Sequence, residues 1–363
     1  MSSRTDRVSL IEALQRARGG STVVTYVTST RDNLEAPMAM DATRVIYRHL
    51  RALAAQGPIQ RLDLFIHSNG GDGTVPWRLV NLIRESAVEF NVLVPHRAFS
   101  AATLVAMGAD HVILHPMGML GPIDPTVTTP YNPPNPENPT QRLGISVEDV
   151  ASYIALVKDD VGIRHEEELV QAFQVLAQQI HPLALGTVKR STSQSRMLGE
   201  KLLRMRKAGP PMDDHSIAEV VDKLASKLYY HGHPISRGEA RDELKLPFVD
   251  DAEPAVADAM WSLYEAYETD MELERPFNPI FEALGPTALP LPPSPQMAGP
   301  GQFGATQITV QTARLGPYVV ASVQSVPRSD RAVTEFDAVL TRDWTGETQI
   351  KLGIARSGWE VEP

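Results

Sequence analysis

The chain has 363 residues, 42% hydrophobic and 21% charged, with a formal net charge of −10. That composition fits a soluble globular protein with room for one large domain and an appendage, and the acidic balance, without a basic run or aromatic-interleaved basic patch, argues against nucleic acid as the main partner. There is no cysteine, which excludes disulfides, thiolate chemistry and cysteine-based zinc sites, and no run approaches the ~18 apolar residues of a membrane span. A cytoplasmic protein with no transmembrane segment, metal or cofactor is expected.

In chain order, residues 9–18 place Leu10, Ile11, Leu14 and Ala17 on one helical face, and the β-branched run 21–29 predicts a strand. After a polar loop, Asp41 suits the N-cap of a helix to residue 55, with Val45, Ile46, Leu50 and Leu53 toward the core. Residues 62–67 predict a strand that runs into Asn69-Gly70-Gly71-Asp72-Gly73, and 75–85 a helix. A strand at 91–95, a turn at Ser100, a small-residue helix at 101–109 and a buried strand at 112–114 follow, then a Gly/Pro loop ending at Pro125. Strands alternating with helices imply a parallel or mixed sheet covered on both faces, with ligands beyond the carboxyl ends of the strands. The glycine pair and Ser100 both follow strands and can meet there.

The Pro- and Asn-rich stretch 126–143 reads as a surface loop, an inert insertion slightly ahead of a groove wall or lid. Helices then dominate, at 146–158, at 166–180 with Leu169, Val170, Phe173, Leu176 and Ile180 at helical spacing, at 183–206, 215–228 and 236–246, and from Pro254 to about 274. Several apolar helical faces suggest packing against another subunit. Residues 285–304 form a Pro/Gly-rich linker by composition, and strands at 306–313, 318–326, 332–341 and 349–361 suggest a small β-rich appendage. The expected division is a body over 1–284, a linker over 285–304 and the appendage over 305–363.

A serine at the start of a buried helix has two readings. It can cap the helix, which serine does well. It can also act as a nucleophile beside backbone N–H groups that would bind a developing oxyanion. The glycine pair favours the second, since Gly71 can offer one such N–H and Ala101 another.

The order HSNGG, then AFSAATLVAMGAD, then LGPIDP resembles the serine dehydrogenase proteinase family, within the Clp-protease and signal-peptide-peptidase A group. The resemblance runs roughly from Val8 to Phe248 and takes in VVTYVTSTRDN, HPLALGTVKRSTSQSRMLGEKLL and HGHPISRGEA. It implies a Clp/crotonase-like α/β core, a homo-oligomer, Ser100 as nucleophile, and Gly71 with Ala101 as oxyanion hole. Asn69 and Ala102 depart from the family's usual proline and glycine, which bears on the shape of the substrate groove.

The serine needs a base. Where the Clp protease places its histidine, this chain reads Met119-Leu-Gly-Pro-Ile-Asp124, and His115 is slightly early. That favours a desolvated lysine, as in signal peptide peptidase A. Lys158, 58 residues after Ser100, has Ile154, Val157 and Val161 as helical neighbours, and Lys189 is a weaker rival. His233 in His231-Gly-His233 is the other candidate, with His231 and Asp124 as supporting groups, although Asp124 suits the GPIDP turn equally. The two histidines lack the companions of a metal site. The leading reading is a serine peptidase acting on peptide or protein substrates. The alternatives are a crotonase-type acyl-CoA enzyme and a catalytically silent oligomeric scaffold.

Overall fold

A computed structural model describes residues 3–136, 141–209, 211–226, 232–285, 307–343 and 346–363. Helix α1 (Arg4–Ala17) starts before residue 9 because Ser3 and Asp6 form a reciprocal capping box. After β1 (Thr22–Thr28) comes α2 (Asp41–Ala54), whose cap position belongs to Met40. Asp41 is instead its first helical residue, still at the positive end of the helix dipole. β2 (Ile59–His67), α3 (Val75–Ser86) and β3 (Ala87–Val94) follow as expected, then the two-residue β4 (Arg97–Ala98), α4 (Ala101–Met107) and β5 (His111–Leu114). Short strands β6 (Met119–Leu120) and β7 (Thr126–Val127) flank the GPIDP loop, and β7 pairs with β8 (Ile145–Ser146).

The helical half holds α5 (Val147–Ala155), a π-helical turn at Leu156–Asp160, α6 (Glu166–Gln179), α7 (Pro182–Leu203) and α8 (Asp214–Ser226). Helix α6 has an apolar stripe yet buries no residue: Val170 and Phe173 are half exposed, and Tyr153 holds the helix by donating to the Ala172 carbonyl at 2.9 Å. β9 (Ile235–Ser236), a π-helical turn at Glu239–Glu243 and β10 (Val249–Asp251) lead to α9 (Pro254–Met271) and the unanticipated α10 (Pro279–Leu284), which Asn278 caps. Apart from Gly285, the expected linker lies outside the described residues, as does His231. Among the described residues no helix is long and apolar enough to cross a membrane.

The four expected C-terminal strands are three: β11 (Gln307–Ser325), β12 (Arg328–Asp343) and β13 (Thr348–Val361). Residues 306–313 and 318–326 fuse because register shifts, one between Leu315 and Tyr318, absorb the Gly-Pro break without ending the strand. The central sheet has eight strands in the order β10-β5-β3-β2-β1-β11-β12-β13. The first five run parallel, and β11 joins β1 antiparallel with Thr25 opposite Gln324. The three C-terminal strands therefore continue the core sheet. Parallel strands are buried on both faces, and β1 shows it: Val24 and Tyr26 pack with α2, α3 and α4, while Val23 and Val27 pack with α1 and α9.

Two buried polar clusters fasten these strands to the body. Arg7 of α1 reaches Gln324 at 2.8 Å, Asp270 of α9 at 3.1 Å and Glu362 at 2.5 Å, with its guanidinium over the Tyr267 ring. His49 of α2 bonds Ser325 through Nδ1 at 2.7 Å and Asp330 through Nε2 at 3.0 Å. This Ser-His-Asp chain is sealed from solvent, so it is a strut between α2 and the β11–β12 turn.

Burial lowers the pKa of His49 to about 4, outweighing the attraction of Asp330, with nearby Arg328 adding to the depression. The folded state then binds fewer protons than the unfolded chain between pH 6.5 and about 4, so stability drops as pH falls through that window. In melts followed by circular dichroism, the midpoint should decline below pH 6.5. His49→Gln should lower the midpoint at neutral pH and flatten part of the acid slope.

Candidate active site

The two loops singled out in the sequence are joined by backbone. Ser68, just past β2, donates its N–H to the Arg97 carbonyl at 3.0 Å and accepts from the Phe99 N–H at 3.0 Å, so the segment before Ser100 runs alongside the segment before the glycines. The buried Ser68 hydroxyl accepts from the Gly70 N–H at 3.0 Å and from Thr28 at 2.8 Å. Gly70 has φ +94°, and a Cβ there would lie 2.6 Å from the Phe99 carbonyl oxygen and 2.9 Å from the Ser100 Cβ. Glycine is thus required for the turn to touch the serine. Gly71 is equally confined, since a Cβ would lie 2.4 Å from the Met38 carbonyl oxygen. The loop before α2 clamps the turn: Met38 donates to the Gly70 carbonyl at 2.6 Å and accepts from the Asp72 N–H at 2.9 Å.

Ser100 stands at the N-cap of α4 with φ 52° and ψ −113°, a strained backbone for a non-glycine residue. Its side chain makes no capping hydrogen bond. Without that bond, Ser100 borders a cleft. Every residue of α4 is buried, and Thr103 bolts the helix down by donating to the carbonyls of Ala98 and Gly121 at 2.7 and 2.9 Å and accepting from the Gly121 N–H at 3.1 Å.

Ser100 opens into a cleft of about 480 Å³. Gly71, Asp72 and Ala101 line one side, Ile123, Pro125, Thr126, Val127 and Thr128 another, and Ser191, Gln194, Ser195 and Leu198 of α7 the third. Among the described residues, the N–H groups of Gly71 and Ala101 donate to no acceptor. The stretch 126–143 borders the cleft at its start through Thr126, Val127 and Thr128, and the loop ahead of it is held by Ser195, which donates to the Ile123 carbonyl at 2.5 Å, and by Ile123, which donates to the Leu224 carbonyl at 2.9 Å. Sequence reasoning missed Ser68, Thr103 and the α7 wall. The signal for α7 was present, because Ser191, Gln194, Ser195 and Leu198 recur at i, i+3, i+4 and i+7 and share one helical face.

The other candidates stand apart from this cleft. Lys158 is exposed on the π-helical turn and Lys189 is exposed on α7, and neither lines the cleft. His233 pairs with Glu239 at 2.8 Å, so the Glu239 carboxylate serves the histidine while Ser236 accepts from the Glu239 N–H at 3.3 Å. Asp124 is buried between two cleft-lining residues, Ile123 and Pro125. His115 stacks on Trp261 of α9, with ring centres 4.9 Å apart. Beneath α9, His67 stacks on His96 at 5.6 Å, and His96 bonds the Tyr264 hydroxyl at 2.8 Å. Burial, then nearby positive charge, depresses both pKa values, that of His96 to about 4. No group of three His, Asp or Glu among the described residues is placed to hold a metal ion.

Residues 6–142 match the family described as ClpP-like SDH-type serine proteinase. Two proteins of Methanocaldococcus jannaschii are similar over short segments. Uncharacterized protein MJ0137 is 37% identical over 76 residues, 21% of this chain and 27% of that protein. Uncharacterized protein MJ1495 is 31% identical over 78 residues, 22% of this chain and 27% of that protein. The match thus spans about a quarter of the length of these curated relatives. Similar solved structures include the 1510-N membrane-bound stomatin-specific protease in complex with a substrate peptide, at 12% identity and TM-score 0.36 over 63% of this chain and 75% of that one. ClpP1 from Listeria monocytogenes is similar at 11% identity and TM-score 0.34 over 68% of this chain and 97% of that one.

Because backbone surrounds both glycines, adding a methyl group forces the turn to move. Gly71→Ala should cost about 1–3 kcal/mol of stability through overpacking, read from urea unfolding midpoints. Gly73, which meets nothing within 4 Å, serves as the control: Gly73→Ala should be near neutral.

Proposed function

We propose, from the match of residues 6–142 to the family described as ClpP-like SDH-type serine proteinase, that the protein is a serine peptidase with Ser100 as its nucleophile. The observation that supports this best is the Ser100 hydroxyl itself: it sits on a left-handed backbone, makes no cap bond, and opens into a cleft between two unengaged main-chain N–H groups. A serine serving only as a cap would not carry that strain.

In the proposed reaction, Ser100 Oγ attacks the scissile carbonyl as its proton passes to a base. The carbonyl oxygen becomes an oxyanion held by the Gly71 and Ala101 N–H groups. The base returns the proton to the leaving amine, and water then hydrolyses the acyl-enzyme. The Thr126–Thr128 segment offers an extended backbone along which a peptide can lie. We assign the base to Lys158 ahead of His233. Lys158 has no ion-pair partner among the described residues, whereas His233 is engaged by Glu239. Lys158 stands outside the cleft in one chain, so it serves as base only when substrate or another subunit brings it within reach of the Ser100 hydroxyl. The apolar stripe of α6, buried nowhere in one chain, supports a homo-oligomer. We retain a catalytic body over 1–284 and a C-terminal β-rich unit over 305–363, joined to the body through the shared sheet.

A fluorophosphonate probe should label the protein, and Ser100→Ala should abolish both labelling and peptide hydrolysis. Lys158→Met should slow labelling at least ~10²-fold, as loss of a general base does, while His233→Gln should leave it within a few-fold. Labelling that survives Ser100→Ala would refute the assignment. The reverse ranking of the other two would move the base to His233.

A further inference from the structure

The outer edge of the sheet is formed by β13, and among the described residues nothing pairs with it. The strand is long, and three of its apolar side chains are exposed: Leu352 by 40%, Ile354 by 71% and Val361 by 57%. Such an edge is a ready template for another strand.

We propose that a second copy of this chain adds to this edge, β13 against β13, antiparallel and in one register. The argument comes from the pairing of β13 with β12. Ile354 opposes Phe336 and Arg356 opposes Glu335, so Ala355 is an extra, unpaired residue. That bulge reverses the alternation. Ile350, Leu352, Ile354, Ser357, Trp359 and Val361 all oppose even-numbered residues of β12 and share one face, while Lys351, Gly353, Arg356, Gly358 and Glu360 share the other.

A twofold axis normal to the sheet through Arg356 then sets Ile354 against Ser357, Gly353 against Gly358, Leu352 against Trp359, Lys351 against Glu360 and Ile350 against Val361 of the second copy. Each pair lies on a common face, as cross-strand pairs must. Without the bulge these partners would point to opposite faces. On one face the register is an apolar row interrupted by a single serine. On the other it places each Lys351, which has no ion-pair partner among the described residues, opposite a carboxylate. The two Arg356 side chains meet at the axis already neutralised, each by Glu335 at 3.4 Å and Glu360 at 2.5 Å. Pairing stops where Glu362 turns inward to Arg7.

The inference refines the homo-oligomer reading by naming one contact, and the test separates the two. The chain lacks cysteine, so K351C/E360C creates the only thiols, roughly 25 Å apart along the strand at ~3.3 Å per residue and unable to join within one chain. Under mild oxidation the double variant should run as a covalent dimer on non-reducing gels, and K351C or E360C alone should not. Light scattering should show wild-type protein as a dimer or a larger even assembly. Ile354→Lys should split that assembly along this contact, with an unchanged melting midpoint at low concentration showing that the chain stays folded. A monomeric wild type overturns both readings and leaves the edge to this chain's own segments or to another protein. An oligomer that Ile354→Lys does not alter, or a double variant that cross-links no better than the single ones, overturns the β13 register alone.

Discussion

Two backbone hydrogen bonds at Ser68 carry the architecture of the site. They run the segment beyond β2 alongside the segment entering α4, and so bring a glycine turn against a serine about thirty positions further on. The rest is arranged to keep that contact in place. The loop before α2 grips the far side of the turn, Thr103 ties α4 to the loop beyond β6, and the Ser68 hydroxyl occupies the Gly70 N–H. One amide is thus occupied, while the next, that of Gly71, has no acceptor among the described residues.

The strain at Ser100 is sustained by its surroundings. A non-glycine residue with positive φ costs of order 1–3 kcal/mol, and α4, seven residues long and wholly buried, cannot rotate to relieve it. Small side chains explain why. Ala101, Ala102 and Ala106 let the helix sit close under its neighbours, with Leu104, Val105 and Met107 filling the remaining volume.

The parallel half of the fold was legible in the sequence because each element carried its own signal. Apolar runs of strand length alternate with helical periodicity up to Leu114, and two turns are marked by glycine or serine. What was illegible depends on distant partners. Asp41 looks like a cap, and only the path of the preceding loop puts Met40 there instead. Residues 306–313 and 318–326 look like two strands because Gly316-Pro317 breaks the pattern, but a bulge carries the ladder across. The polar face of α7 reads as solvated until the Ile123 loop is seen against it. The Gly70-Gly71 turn was visible because its backbone admits only glycine. A base needs only a titratable group at the right place in space, and Lys158 and His233 carry no comparable local mark.

The clamp around Arg7 bears on how the chain can be cut. A guanidinium from the first helix is satisfied by carboxylates from α9 and from the penultimate residue, while β11 covers the edge that β1 would otherwise expose. The family-matched region ends at residue 142, before α7 supplies a wall of the cleft and before either carboxylate appears. Excised by itself, that region would carry a stranded buried charge, a bare hydrophobic strand and a groove open on one side. The family-matched part of this protein is thus a fragment of its folding unit, and the residues beyond it supply the missing walls.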